Sequence, residues 1–73
     1  MSVDADARAW VERYATLLGL PVPSEPEIEA LLELAGLAAH ASQRQAAPVA
    51  CWLAAQARLS TAEALERARS LDT

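Results

Sequence analysis

The stretch Ser24-Glu25-Pro26-Glu27-Ile28-Glu29-Ala30-Leu31-Leu32-Glu33-Leu34-Ala35-Gly36-Leu37-Ala38-Ala39-His40-Ala41-Ser42-Gln43 reads as one long helix. Ser24 and Glu27 stand at capping-box spacing, and Pro26 falls in the first turn, where a missing N–H costs nothing. Ile28, Leu31, Leu32, Leu34, Ala35, Ala38, Ala39 and Ala41 cover well over half of its circumference. A helix so apolar must touch neighbours on two sides, which places it at the centre of the domain. Its polar strip is narrow: Glu29, Glu33, Gly36, His40, Gln43 and Arg44 fall within about 100° of arc at 100° per residue.

Three further helices extend outward from this one. Upstream, Val3, Ala7, Trp10, Val11, Tyr14, Leu17 and Leu18 recur at spacings of three and four, which predicts a helix over about 4–18. Asp4 or Ser2 is placed to cap it, and Gly19 stands where a left-handed terminus belongs. Pro21 and Pro23 hold the following residues extended. Downstream, a turn over 42–47 leads to a third helix over about 48–58, with Pro48 expected at its first position. Val49 to Ala55 contain no polar residue, and a helix apolar all round is either buried or covered by a partner. The fourth helix, over about 60–70, opens on Ser60 and Glu63, a second capping-box pair. Ala64, Leu65, Ala68 and Leu71 are expected on its inner stripe. The expected fold is therefore all-α, a compact bundle of four short helices in a single domain over 1–73.

Composition supports that reading and narrows the function. The 73 residues include 18 alanines, no Lys, no Asn and no Phe, and Ala, Leu and Arg are the strongest helix formers. Six Arg against ten Asp and Glu leave a net charge of −4, which argues against binding a phosphate backbone. A helix-turn-helix drawn from the last two helices would place Glu63 and Glu66 toward DNA phosphates, so nucleic acid is not an expected partner. One Cys forms no intrachain disulfide, and one Cys with one His does not close a zinc site. The longest mostly apolar stretch, 46–55, is about half of a membrane span, and no signal peptide is evident. The expectation is a cytoplasmic domain without metal, cofactor or membrane contact. Most charges have a structural role: acids open the helices and bases close them, as the macrodipole favours.

Chemistry-bearing residues gather at the turn between the two most apolar helices, Ala38-Ala39-His40-Ala41-Ser42-Gln43-Arg44-Gln45-Ala46-Ala47-Pro48. His40 and Arg44 lie four apart and would share a helix face. Ala46 and Ala47 would let an anion approach the N–H groups that open the next helix. One reading is a pocket for phosphate, a nucleotide or another acidic group; the plainer one is that both residues cap the second helix. His40 and Cys51, at similar heights on facing helices, also suggest a nucleophile pair. No third orienting group is evident, so catalysis is not expected. Trp10 and Trp52 occupy core-compatible positions, and core packing is the stronger expectation for both.

Trp10, Leu17-Leu18-Gly19-Leu20, Leu31-Leu32-Glu33-Leu34-Ala35, Ala38-Ala39-His40, Arg44, Ala46-Ala47-Pro48 and Trp52-Leu53-Ala54 form a linear pattern over nearly the whole chain. This pattern resembles a small domain family of unknown function from high-GC Gram-positive bacteria. Members occur alone or fused to the C-terminus of nucleotidyltransferases of the molybdenum-cofactor guanylyltransferase type. They tend to be encoded near molybdenum-cofactor and formate-dehydrogenase maturation proteins. Two departures are visible: Arg44-Gln45 stands where many members have Arg-Pro, and Arg58-Leu59 stands where some end the third helix with Gly. The resemblance carries no catalytic residue across. It implies a non-enzymatic accessory or protein-interaction module linked to molybdenum-cofactor maturation, with such a nucleotidyltransferase as partner. His40, Arg44, Ala46, Ala47, Pro48 and Trp52 would mark the contact region. A second copy of the chain is an alternative cover for the third helix, giving a homodimer.

Overall fold

The computed structural model describes residues 4–71 and contains four helices. They are α1 (Ala5–Leu18), α2 (Glu25–Ala41), α3 (Ala46–Gln56) and α4 (Thr61–Ser70). Among the described residues there is no strand, and no helix is long and apolar enough to cross a membrane. Val3, expected on the α1 stripe, lies outside the described residues.

The caps behave as their side chains dictate. Asp4 accepts from the Ala7 N–H at 2.9 Å and opens α1. The helix closes in a Schellman arrangement around Gly19, which sits at φ 72°. The Gly19 N–H donates to the Thr16 carbonyl at 3.0 Å and the Leu20 N–H to the Ala15 carbonyl at 2.9 Å. Both expected capping boxes form, Ser24 with Glu27 on α2 and Ser60 with Glu63 on α4. Each satisfies two N–H donors that the helix itself leaves free.

The central placement of α2 is found: it carries the principal helix–helix packing of the molecule, with α3 and with α4. The core forms there. Leu34 of α2 and Ala64 and Leu65 of α4 are buried, with Ala50, Cys51 and Ala54 of α3 packed against them. These positions on α3 follow helical spacing and face α2 with small side chains, so the backbones of α2 and α3 approach closely. Across the other side, Arg69 of α4 donates to Glu33 of α2 at 2.9 Å and to Glu66 of its own helix at 3.0 Å.

α1 is attached differently. Ala15 is its only buried residue, with Ala7, Arg8 and Val11 half-buried, and Arg8 pairs with Glu25 at the start of α2. Ala7 and Val11 of the expected stripe face inward with Ala15, while its large members do not. Tyr14, Leu17 and Leu18 are exposed, and Trp10 is 55% exposed, so it does not pack in the core. Its ring rests against that of Tyr14, with centroids 5.1 Å apart. A chain this short cannot enclose every apolar stripe, and the core selects the side chains that let the backbones close up.

The boundaries shift by one or two residues from those the sequence suggests. α2 ends at Ala41 rather than Gln43, because Ser42 leaves helical geometry at φ −135°, ψ −101°. α3 begins at Ala46, which puts Pro48 at the third helical position instead of the first. Leu71, expected on the inner stripe of α4, is 85% exposed, since it lies beyond the helix end at Ser70.

Candidate functional site

The α2–α3 turn does not assemble the residues as their spacing suggests. Because α2 ends at Ala41, Arg44 lies beyond it, and the four-residue spacing no longer puts His40 and Arg44 on one helix face. His40 is exposed on the outer side of α2. There it borders an open groove of about 700 Å³ between α2 and α4, with Gly36 and Leu37 along α2 and Leu65 and Arg69 across from them. Arg44 stands exposed in the turn.

The start of α3 also offers few donors to an anion. The Ala46 N–H donates to the Gln43 carbonyl at 2.9 Å and the Ala47 N–H to the Arg44 carbonyl at 3.2 Å. Pro48 has no N–H to give. The three amides that would cradle a phosphate at this helix N-terminus are therefore engaged or missing. Gln45, the capping residue, makes no side-chain hydrogen bond to the helix.

His40 and Cys51 are not brought together either. Cys51 sits on the inner side of α3, with its thiol 4.0 Å from the Leu31 carbonyl oxygen. It borders a separate apolar cavity of about 270 Å³ with Leu31, Ala54, Leu59 and Ala64. Burial pushes the Cys51 thiol above its ordinary value. A nucleophile needs the opposite shift, toward thiolate at neutral pH. Among the described residues no group of three His, Cys, Asp or Glu side chains is placed to hold a metal ion.

What the structure does assemble is a surface. Trp52 is 62% exposed, against the expectation of core packing, and Val49 and Leu53 are exposed beside it. The reason lies in the spacing. Ala46, Ala47, Ala50, Cys51 and Ala54 turn toward the core, which leaves Pro48, Val49, Trp52, Leu53 and Gln56 outside. An exposed Trp with apolar neighbours is the usual centre of a protein contact, because a large rigid ring gains much from burial at little entropic cost. Arg44 precedes α3 by two residues and Arg58 follows it by two, and both are exposed. Arg58 holds φ 60°, a left-handed conformation that normally calls for Gly. Sequence reasoning singled out Trp52, Pro48 and Arg44. It missed Val49, Leu53 and Arg58, although the small-residue stripe at 46, 47, 50, 51 and 54 was a signal for which side of α3 packs.

Among curated proteins and among solved structures, none matches this chain. A family model does, over residues 2–72: the domain of unknown function DUF6457. That match spans all four helices and the apolar face of α3, and the chain belongs to the DUF6457 family.

Proposed function

We propose that this domain is a non-enzymatic accessory module that works by binding another protein. The observation that carries the reading is the outer face of α3, where Trp52, Val49 and Leu53 stand exposed on a helix without a single charge. A soluble chain that leaves a Trp and two aliphatic side chains together at its surface gains by covering them. The inward, proton-retaining thiol of Cys51 and its separation from His40 favour binding over catalysis.

The partner in this proposal is a nucleotidyltransferase of the molybdenum-cofactor guanylyltransferase type, and the setting is molybdenum-cofactor maturation. The support is the sequence pattern around His40, Arg44 and Ala46-Ala47-Pro48, which resembles a family found fused to such enzymes. A domain that occurs fused in some proteins and separate in others commonly meets the same enzyme in both.

The test is affinity capture from native extract with the tagged wild-type chain and the Trp52→Ala variant, read by mass spectrometry. The expected result is a molybdenum-cofactor nucleotidyltransferase captured by wild type and lost with Trp52→Ala. Absence of any such enzyme from the wild-type capture would overturn this choice of partner. A second comparison uses His40→Ala with Arg44→Ala, which separates a contact on the turn from one confined to α3.

A further inference from the structure

We propose that the outer face of α3 docks a partner helix whose apolar stripe is flanked at both ends by carboxylates. This deepens the interaction reading above and rests on it. Pro48, Val49, Trp52, Leu53 and Gln56 recur at spacings of three and four on the exposed side of α3. That is the seam one helix presents to another, with side chains at the positions that interdigitate across a helix pair.

Charge sets the chemistry of the occupant. Residues 43–58 contain two Arg and no Asp or Glu, while the whole chain carries six Arg and ten acids. The α3 face is thus a locally cationic segment on an acidic protein. Arg44 and Arg58 are both exposed, and neither forms an ion pair among the described residues. Arg44 stands two residues before α3 and Arg58 two residues after it, one beyond each end of the apolar strip.

A second observation concerns Arg58. Its backbone at φ 60° is a conformation that costs any residue with a Cβ, and the chain keeps a long cationic side chain there. Strain retained at an exposed position fits a side chain held for what it meets.

The same charges disfavour a second copy as the occupant. A parallel pairing of α3 with itself would set Arg44 against Arg44 and Arg58 against Arg58. An antiparallel one would set Arg44 against Arg58. Residues 43–58 hold no carboxylate to offset either. A partner helix with Glu or Asp at both ends of its stripe meets both arginines and covers Trp52 between them.

The test is a display selection on the full chain with a library of amphipathic helical peptides. Their apolar stripe is fixed, and the two flanking positions vary among Glu, Gln and Lys. The expected result is enrichment of Glu over Lys at both flanks, about fivefold to tenfold for the pair. The Arg44→Glu, Arg58→Glu double variant, checked for helicity by circular dichroism, is expected to reverse the preference to Lys. Binding is expected to disappear with Trp52→Ala. Flanks without charge preference, a preference unchanged in the double variant, or no binder that depends on Trp52 would each overturn the proposal. So would sedimentation of the free chain as a dimer that Trp52→Ala dissociates. Acidic-flank selection alongside a native capture lacking any nucleotidyltransferase keeps this docking chemistry and discards only that partner.

Discussion

The Cys51 thiol lies 4.0 Å from the Leu31 carbonyl oxygen, where α3 packs against α2. The contact places the only sulfhydryl of the chain on the inner side of α3, partly buried against the leucines of α2. Burial disfavours the thiolate there and pushes the thiol above its ordinary value of 9.0. The folded state thus prefers the neutral form. This contribution to stability is complete below the unfolded thiol's titration and is lost as pH rises through the folded one. Iodoacetamide at about pH 8 is expected to alkylate the folded chain more slowly than the chain in urea, in proportion to its smaller thiolate fraction. Urea midpoints are expected to hold steady up to about pH 9 and to fall above it, and the Cys51→Ala variant is expected to lack that fall. Equal alkylation rates in the folded and unfolded chain would contradict the burial described here.

Among the described residues, two occupy left-handed backbone, and they predict opposite outcomes. Gly19 at φ 72° closes α1, and Arg58 at φ 60° follows α3. Gly19→Ala places a Cβ in a conformation it disfavours and is expected to cost about 1 kcal/mol, although no neighbour lies within 4 Å of that Cβ. Arg58→Gly removes the same strain and is expected to gain about 1 kcal/mol. Urea denaturation of the two variants at constant slope checks both signs. An Arg58→Gly variant that is more stable and binds its partner more weakly would separate the structural cost of Arg58 from its use.

Gly36 has no such conformational requirement. It lies inside α2, and a Cβ built there meets nothing within 4 Å. Ala is a better helix residue than Gly by about 1 kcal/mol. Gly36→Ala is therefore expected to raise stability by up to that amount, measured by thermal melting followed by circular dichroism. The methyl group would stand in the open groove between α2 and α4.

The core is small enough for one residue to decide folding. Leu34 is 4% exposed at the junction of α2 and α4, with the α3 residues Ala50, Cys51 and Ala54 around it. Leu34→Ala is expected to cost about 2–5 kcal/mol through lost transfer energy and the cavity left behind. A domain of this length has about 5 kcal/mol of stability in all, so this variant should keep only about 0–3 kcal/mol and unfold at a much lower urea concentration than wild type. Leu17, on the expected α1 stripe but 79% exposed, is expected to tolerate Ala within about 0.5 kcal/mol. Helical signal at 222 nm before and after urea distinguishes the two.

The sequence by itself determined the local structure. Asp4, Ser24 with Glu27, and Ser60 with Glu63 cap their helices because each oxygen reaches an N–H three residues away, and that geometry needs no tertiary neighbour. Gly19 stops α1 for an equally local reason. The central position of α2 was legible too, since its apolar residues cover two sides and leave only a narrow polar strip. Tertiary packing alone decided which apolar side chains go inside. Periodicity marks a stripe about half a helix wide on α1 and nearly all of α3, wider than two or three neighbours can cover. The core took Ala15, Ala50, Cys51 and Ala54, which let backbones approach, and left Trp10 and Trp52 at the surface. It also parted His40 from Arg44, because the break at Ser42 ends α2 one turn before their shared spacing has meaning. Hydrogen bonds to neighbours in sequence are fixed by the chain, whereas the choice between two apolar faces depends on the shape of what packs against them.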